Sequence, residues 1–166
     1  MTLEIEKLLD DTGWQILEAL QENARLSYSE LGQRVGLSSP AVAERVRRME
    51  DAEIISGYHA EINRGKVGFP ILAVIRMTTS PGERCTRFTA SAQENPLVLE
   101  CYRVTGNDSL IMKVMASSVE ELEALIDRLS AHGQLNTSIV LSTPVARREI
   151  APQLENSDHE WMQTSA

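Results

Sequence analysis

YSELGQRVGLSSPAVAERVRRM, from Tyr28 to Met49, decides the reading of this chain, because it spells two short amphipathic helices joined by a glycine turn. Leu31 and Val35 stand four apart and share one helical face, while Glu30, Gln33 and Arg34 point away from it. Gly36 stops the first helix, since glycine enters the left-handed conformation of a helix C-terminus without a Cβ penalty. Ser38 and Ser39 then offer hydroxyl oxygens to the free N–H groups of the next helix, and Pro40 is tolerated in its first turn. In that second helix Val42, Val46 and Met49 form the apolar stripe, and the opposite face carries the small Ala41 with Glu44, Arg45, Arg47 and Arg48. A small residue near the N-terminus allows close approach and cations farther along reach phosphates, as in a helix lying in a DNA groove. The same spacing also suits two amphipathic helices that never meet DNA, with the arginines as a solvated face, and on spacing alone both readings stand.

A chain of 166 residues holds one medium domain or two small ones, and its 42% hydrophobic content is ordinary for a globular protein. No apolar run approaches the ~20 residues of a membrane helix. The acidic start MTLEIEKLLDD lacks the basic and apolar regions of a signal peptide, so a cytoplasmic address without membrane association is expected. Cys85 and Cys101 form no CxxC pair; two reduced thiols are expected, with no metal and no cofactor. The formal charge of −8 repels a polyanion at long range, but its distribution matters more. Arg25, Arg34, Arg45, Arg47 and Arg48 face only Glu30 and Glu44 within residues 25–48. The acid lies on either side, in Glu4, Glu6, Asp10, Asp11, Glu18 and Glu22, and in Glu50, Asp51 and Glu53. Such a protein relies on several subunits and short-range contacts to hold DNA.

Upstream of the central motif, Asp10 and Asp11 cap a helix whose Trp14, Ile16, Leu17 and Leu20 complete a three-helix core. Downstream, residues 54–62 alternate in polarity around Gly57 and predict a strand pair, or wing. Residues 63–70, rich in glycine and ending in Pro70, read as a hinge between a winged helix-turn-helix domain (1–62) and a second domain (71–151). In the second domain, strands are expected over 71–77, 98–104, 110–116 and 137–145, with helices over 83–94 and 118–131. Leu122, Leu125, Ile126 and Leu129 mark the buried face of the latter helix. The order βαββαβ is ferredoxin-like, so the fold class is α+β, with an antiparallel sheet carrying both helices on one face. The other face, bearing Ile, Val and Met, calls for a second copy of the chain to cover it. The tail 152–166 is polar apart from Trp161 and Met162, and is expected to be mobile or to dock through Trp161 on a neighbouring subunit.

The chain resembles the Lrp/AsnC, or feast/famine, regulators over nearly its whole length. The likeness rests on LDDTGWQILEALQENARLSYSELGQRVGLSSPAVAERVRRMEDAEIISGYHAEIN, CYRVTGNDSLIMKV, SSVEELEALIDRL and TSIVLSTPV. It implies an N-terminal winged helix-turn-helix and a C-terminal ferredoxin-like (RAM/ACT-like) domain that assembles the protein, as a dimer and then an octamer, and binds amino acids. Two departures stand out. Family members often carry acidic residues directly after the loop glycine and two positions later, where this chain has Asn107 and Ser109 with Asp108 between them. Glu53 also replaces the glycine usual at the end of the recognition helix.

The residues expected at double-stranded DNA are Ser38, Ser39, Ala41 and Glu44 nearest the major groove and Arg45, Arg47 and Arg48 on phosphates and base edges, with intrahelical ion pairs to Glu44, Glu50 or Asp51 as their other use. Ser27 and Tyr28, opening the preceding helix, serve as caps first and as phosphate contacts second. Gly106, Asn107 and Asp108 combine close backbone approach, an amide and a carboxylate in one turn that suits a zwitterion, although these are also ordinary turn residues. Gln134, Thr137 and Ser138 are expected to add hydrogen bonds from a neighbouring subunit. No enzymatic activity is expected. Sirohaem decarboxylases share the plan but depend on histidines in a tetrapyrrole cleft, and this chain has only His59, His132 and His159. A stand-alone amino-acid-sensing subunit is the third reading, and it predicts no DNA affinity.

Overall fold

The computed structural model describes residues 3–79 and 92–152, which divide into two compact units. The first contains α1 (Leu3–Leu8), α2 (Asp11–Glu22), α3 (Tyr28–Val35) and α4 (Ser39–Asp51), one helix more than the sequence pattern predicts. Asp10 accepts a hydrogen bond from the Gly13 N–H at 2.8 Å and caps α2. Ser27 and Glu30 form a reciprocal capping box on α3, and the Ser38 hydroxyl receives the Ala41 N–H at the start of α4. Ile16, Leu31, Val42, Val46 and Met49 are buried in one cluster, with Leu17, Leu20, Val35 and Leu37 packed around it. Trp14, expected in this core, is only half-buried.

Two glycines fix the helix geometry for different reasons. At Gly36 φ is 70° and an added Cβ would meet nothing within 4 Å, so the demand there is conformational. At Gly32 an added Cβ would stand 2.5 Å from the Leu37 carbonyl oxygen, so the demand is close approach of α3 to the turn that launches α4.

The end of α4 closes in the left-handed turn that a Glu in place of glycine disfavours. Glu53 has φ 55°, in the left-handed region, its N–H donates to Glu50 O at 3.0 Å, and the Ile54 N–H donates to Met49 O at 2.9 Å. These are the two bonds of a Schellman cap, closed here by a residue with a Cβ. The expected wing is absent: residues 54–63 carry no strand among the described residues, because no second segment pairs with them. The Tyr58 hydroxyl instead donates to Glu50 at 3.0 Å and ties this extended segment to α4.

The second unit opens with a 3₁₀ turn, Arg64–Val67, inside the stretch read as a hinge. Its sheet comprises β1 (Ile71–Thr78), β2 (Val98–Arg103), β3 (Leu110–Ala116) and β4 (Gln134–Ile139), antiparallel in the order β2-β3-β1-β4. This is the ferredoxin-like order. The helix α5 (Val119–Ser130) packs Leu122, Leu125 and Leu129 against Ala73, Ile75 and Met77 of β1 and Leu110, Met112 and Val114 of β3. Of the helix expected over 83–94, residues 92–94 are helical and 83–91 lie outside the described residues. Period-two alternation leaves Val74, Ile111 and Met115, with Arg76, Lys113 and the buried Leu72, on the opposite face of the sheet, and Tyr102 of β2, 53% exposed, opposite Ile111.

The last strand runs over 134–139 rather than 137–145. It pairs with β1 from Thr78↔Gln134 to Ala73↔Ile139, followed by one bond from the Val140 N–H to Leu72 O at 2.8 Å. The chain beyond returns to the helical unit, with which residues 145–152 cluster. There the Gln21 side-chain amide both donates to and accepts from the Ile150 backbone, at 3.0 and 2.9 Å. The residues assigned to the tail from 153 onward, with Trp161, lie outside the described residues.

Candidate nucleic-acid interface and ligand site

The second helix of the turn motif presents Ser38, Ser39, Ala41, Glu44, Arg47 and Arg48 to solvent, and Ser27 and Tyr28 are exposed at the start of α3. Caps at Ser27 and Ser38 orient the free N–H groups of both helices, which favour anions. None of the α4 arginines stands without a carboxylate. Arg47 meets Glu44 at 2.8 Å and Asp51 at 2.6 Å on its own helix, the alternative use the sequence suggests. Arg48 reaches Glu4 of α1 at 3.4 Å. Arg45 donates from Nη1 and Nη2 to both carboxylate oxygens of Asp10, at 2.7 and 2.6 Å. Spacing along α4 cannot disclose these last two partners, which lie 44 and 35 residues away in sequence. The acid flanking the basic segment therefore folds back onto it.

These pairs shift protonation. The Arg45 guanidinium, assisted by the Gly13 N–H, holds the Asp10 carboxyl down at about 2 against the usual 3.8. The folded value lies below the unfolded one, so this contribution to stability is complete above the unfolded value and is lost as pH falls through about 2. With 47% of the Asp10 side chain exposed, screening holds it below about 1 kcal/mol. Acid unfolding followed by circular dichroism should accordingly be flatter below pH ~4 in Asp10→Asn, which keeps a capping oxygen but no charge. At the other end of α4, burial and the hydrogen bond to Glu50 push the Tyr58 hydroxyl up to about 12. Sequence reading placed Tyr58 only as part of a strand; alternation carries no signal for a bond to a helix eight residues upstream.

In the second unit, Gly106, Asn107 and Asp108 lie in the loop joining β2 to β3, with φ 111° at Gly106. Ser109 fixes the loop to β1: its N–H donates to Met77 O at 2.8 Å and its hydroxyl accepts the Thr79 N–H at 3.2 Å. Gln134, opposite Thr78, lies at the same end of the sheet as this loop. Thr137 and Ser138 sit farther along β4, opposite Ile75 and Val74, and alternate to opposite faces of the sheet. One chain thus gathers the loop and Gln134 at one end, while Thr137 and Ser138 stand apart from each other. Among the described residues no group of three or more His, Cys, Asp or Glu side chains is arranged to hold a metal, and no helix is long and apolar enough to cross a membrane. Cys101 is an exposed free thiol, and Cys85 lies outside the described residues.

A helix-turn-helix whose second helix exposes Arg47 and Arg48, on a chain that also carries a ferredoxin-like unit, fits a DNA-binding regulator joined to a sensing domain. Residues 9–50 match the AsnC-type helix-turn-helix domain and residues 72–150 the Lrp/AsnC ligand binding domain. The chain is 45% identical over 135 residues, 81% of its length and 95% of the relative's, to the uncharacterized HTH-type transcriptional regulator YezC of Bacillus subtilis. It superposes on the structure of B. subtilis LrpC with a TM-score of 0.79 at 33% identity, covering 84% of this chain and 99% of that one. It is likewise similar to the feast or famine regulatory protein from M. tuberculosis complexed with L-methionine, with a TM-score of 0.78, 31% identity, and coverage of 87% and 99%. The chain belongs to the Lrp/AsnC family of helix-turn-helix transcriptional regulators.

Proposed function

We propose that the protein binds specific operators through α4 and that an amino acid, bound at the loop 105–109, modulates this binding without being consumed. The observation that carries the first half is the exposed row Ser38, Ser39, Ala41, Glu44, Arg47 and Arg48 on a helix launched by a serine cap, with Ser27 and Tyr28 beside it for backbone phosphates. The M. tuberculosis relative complexed with L-methionine supports the second half. So does the chemistry of the loop: Gly106 frees backbone N–H groups for a carboxylate, and Asp108 supplies charge for an ammonium, with the Asn107 amide beside them. Gln134 joins them from the same chain, and one of Thr137 and Ser138, which face opposite ways, from a neighbouring one.

The working unit is an oligomer, dimeric at least and octameric in full assembly. The outer face of the sheet, where half-buried Val74, Ile111 and Met115 stand with Arg76 and Lys113, supports this, since a second copy covers its apolar part at no cost in new secondary structure. Regulation rather than catalysis follows from the family, whose members here are regulators by name, and this ranks the decarboxylase reading second. The intact protein works in the cytoplasm, where operators are.

Calorimetric titration with the twenty amino acids tests the sensor. At least one should bind, and Asp108→Ala should lose about 1.5–3 kcal/mol of that binding, the range for a hydrogen bond to a charged group, with effector-free operator affinity intact. Light scattering in the same samples reads the assembly with and without the ligand. Absence of heat from all twenty would remove the amino-acid reading.

A further inference from the structure

Arg45 stands apart from the other cations of α4. Its side chain is 26% exposed, against 59% for Arg47 and 43% for Arg48. Its acceptor is also the most constrained of the three. Asp10 is the N-cap of α2, and its Oδ1 takes the Gly13 N–H at 2.8 Å while both oxygens take the Arg45 fork. Arg47, in contrast, pairs only with residues of its own helix, and Arg48 with a single oxygen of Glu4 at 3.4 Å. A planar fork on a carboxylate that is itself locked by a helix cap fixes distance and orientation together. It ties the recognition helix to the N-terminus of α2. Gly13 narrows the same seam, since a Cβ there would stand 3.1 Å from the Met49 Cε of α4.

Building on the DNA-binding reading above, we propose that Arg45 is a positioning residue and not a DNA ligand: with Asp10 it clamps the recognition helix in the attitude that lets Glu44, Arg47 and Arg48 meet the groove. A phosphate that drew Arg45 away would leave the Asp10 carboxylate beside the polyanion without its partner. Arg47 and Arg48 can exchange their exposed carboxylates for phosphates and leave the helix where it is. The clamp therefore governs base discrimination, and the other two arginines govern the salt-dependent share of affinity.

Operator and random-sequence fragments titrated with the intact protein across a salt series separate the two roles, using Asp10→Asn, Arg45→Gln and the double variant. Asparagine retains the cap, so only the charged fork is removed. The clamp requires that each single variant reduce the ratio of operator to random affinity by about tenfold, the size of one lost base contact. It also requires that the double variant be no worse than the weaker single one, and that the slope of log affinity against log salt stay unchanged. A merely structural pair would lower the melting temperature and leave that ratio, measured well below the melt, where it was; that result overturns the proposal. So does a slope flattened by about 0.9 per copy of α4 on the operator in Arg45→Gln with Asp10→Asn unchanged or tighter, which identifies Arg45 as a phosphate ligand. The underlying DNA-binding reading is checked separately in the same assay by Arg47→Ala/Arg48→Ala. If the native protein binds neither fragment, that reading fails first, and a thermal double-mutant cycle then decides the Asp10–Arg45 coupling: additive effects overturn the clamp.

Discussion

Replacing Arg47 and Arg48 together with alanine should abolish operator binding at physiological salt while leaving the fold intact. Each phosphate contact contributes about 0.9 to the slope of log affinity against log salt, so two lost per chain cost about 30-fold at 0.15 M, and about 1000-fold where two copies of α4 meet one operator. The loss is enlarged by what remains, because Glu44, Asp51 and Glu4 keep their charges after their partners are gone. Stability should stay nearly unchanged, because all three pairs are solvent-exposed. Gel-shift titration over a salt series, with a melt followed by circular dichroism, reads both quantities. A variant that still binds like the native protein would show that this face of α4 is not the interface; a native protein that binds no fragment at all would instead revive the reading of the chain as a sensing subunit without DNA affinity.

Gly13→Ala should be among the most damaging single methyl groups that can be added to the helical unit. A Cβ at this position would stand 1.9 Å from the Leu8 carbonyl oxygen and 2.9 Å from the carbonyl carbon, both backbone atoms that cannot rotate away. Helix propensity favours the change by about 1 kcal/mol, which is too little to offset an overlap of this size. Relief requires α1 to leave its seat, which uncovers Leu8, now 3% exposed, and ends the Glu4–Arg48 pair. Losing the Leu8 burial alone costs about 1.5–3 kcal/mol, a large fraction of the stability of a small unit. Gly36→Ala, where only the φ of 70° resists, should cost about 1 kcal/mol. Denaturant melts of the two variants should therefore differ, with Gly13→Ala clearly the lower. Equal midpoints would mean that α1 is not seated on this unit in solution.

The two glycines show how far a sequence can be read. Gly36 was legible because a glycine between two amphipathic periods, followed by serines, has one conformational reason to be there. Gly13 was not, since it falls inside a helix whose periodicity ignores it, and its reason is a carbonyl of another helix. The same divide runs through the arginines. Arg47 has Glu44 and Asp51 at helical spacing, which counting residues reveals. Arg45 and Arg48 have Asp10 and Glu4, which only the packing of α4 against the start of the chain brings near. The strand boundaries missed at residues 137–145 and 54–62 have one cause. Alternation shows that a segment can form a strand, whereas a ladder needs a partner, and β1 ends the pairing of β4 at Ile139 while nothing in the described chain pairs with 54–62.

By itself the sequence determined the turn motif, its serine caps, both apolar faces and the βαββαβ order, because each is written in local spacing and in the backbone preferences of a few residues. Through those motifs it also determined the family. The tertiary structure alone decided that the acidic flanks neutralise the recognition helix, that Thr137 and Ser138 face opposite ways, and that residues 145–152 cluster with the helices rather than with the sheet. These are long-range pairings, set by how whole elements meet, and no local pattern in the chain encodes them.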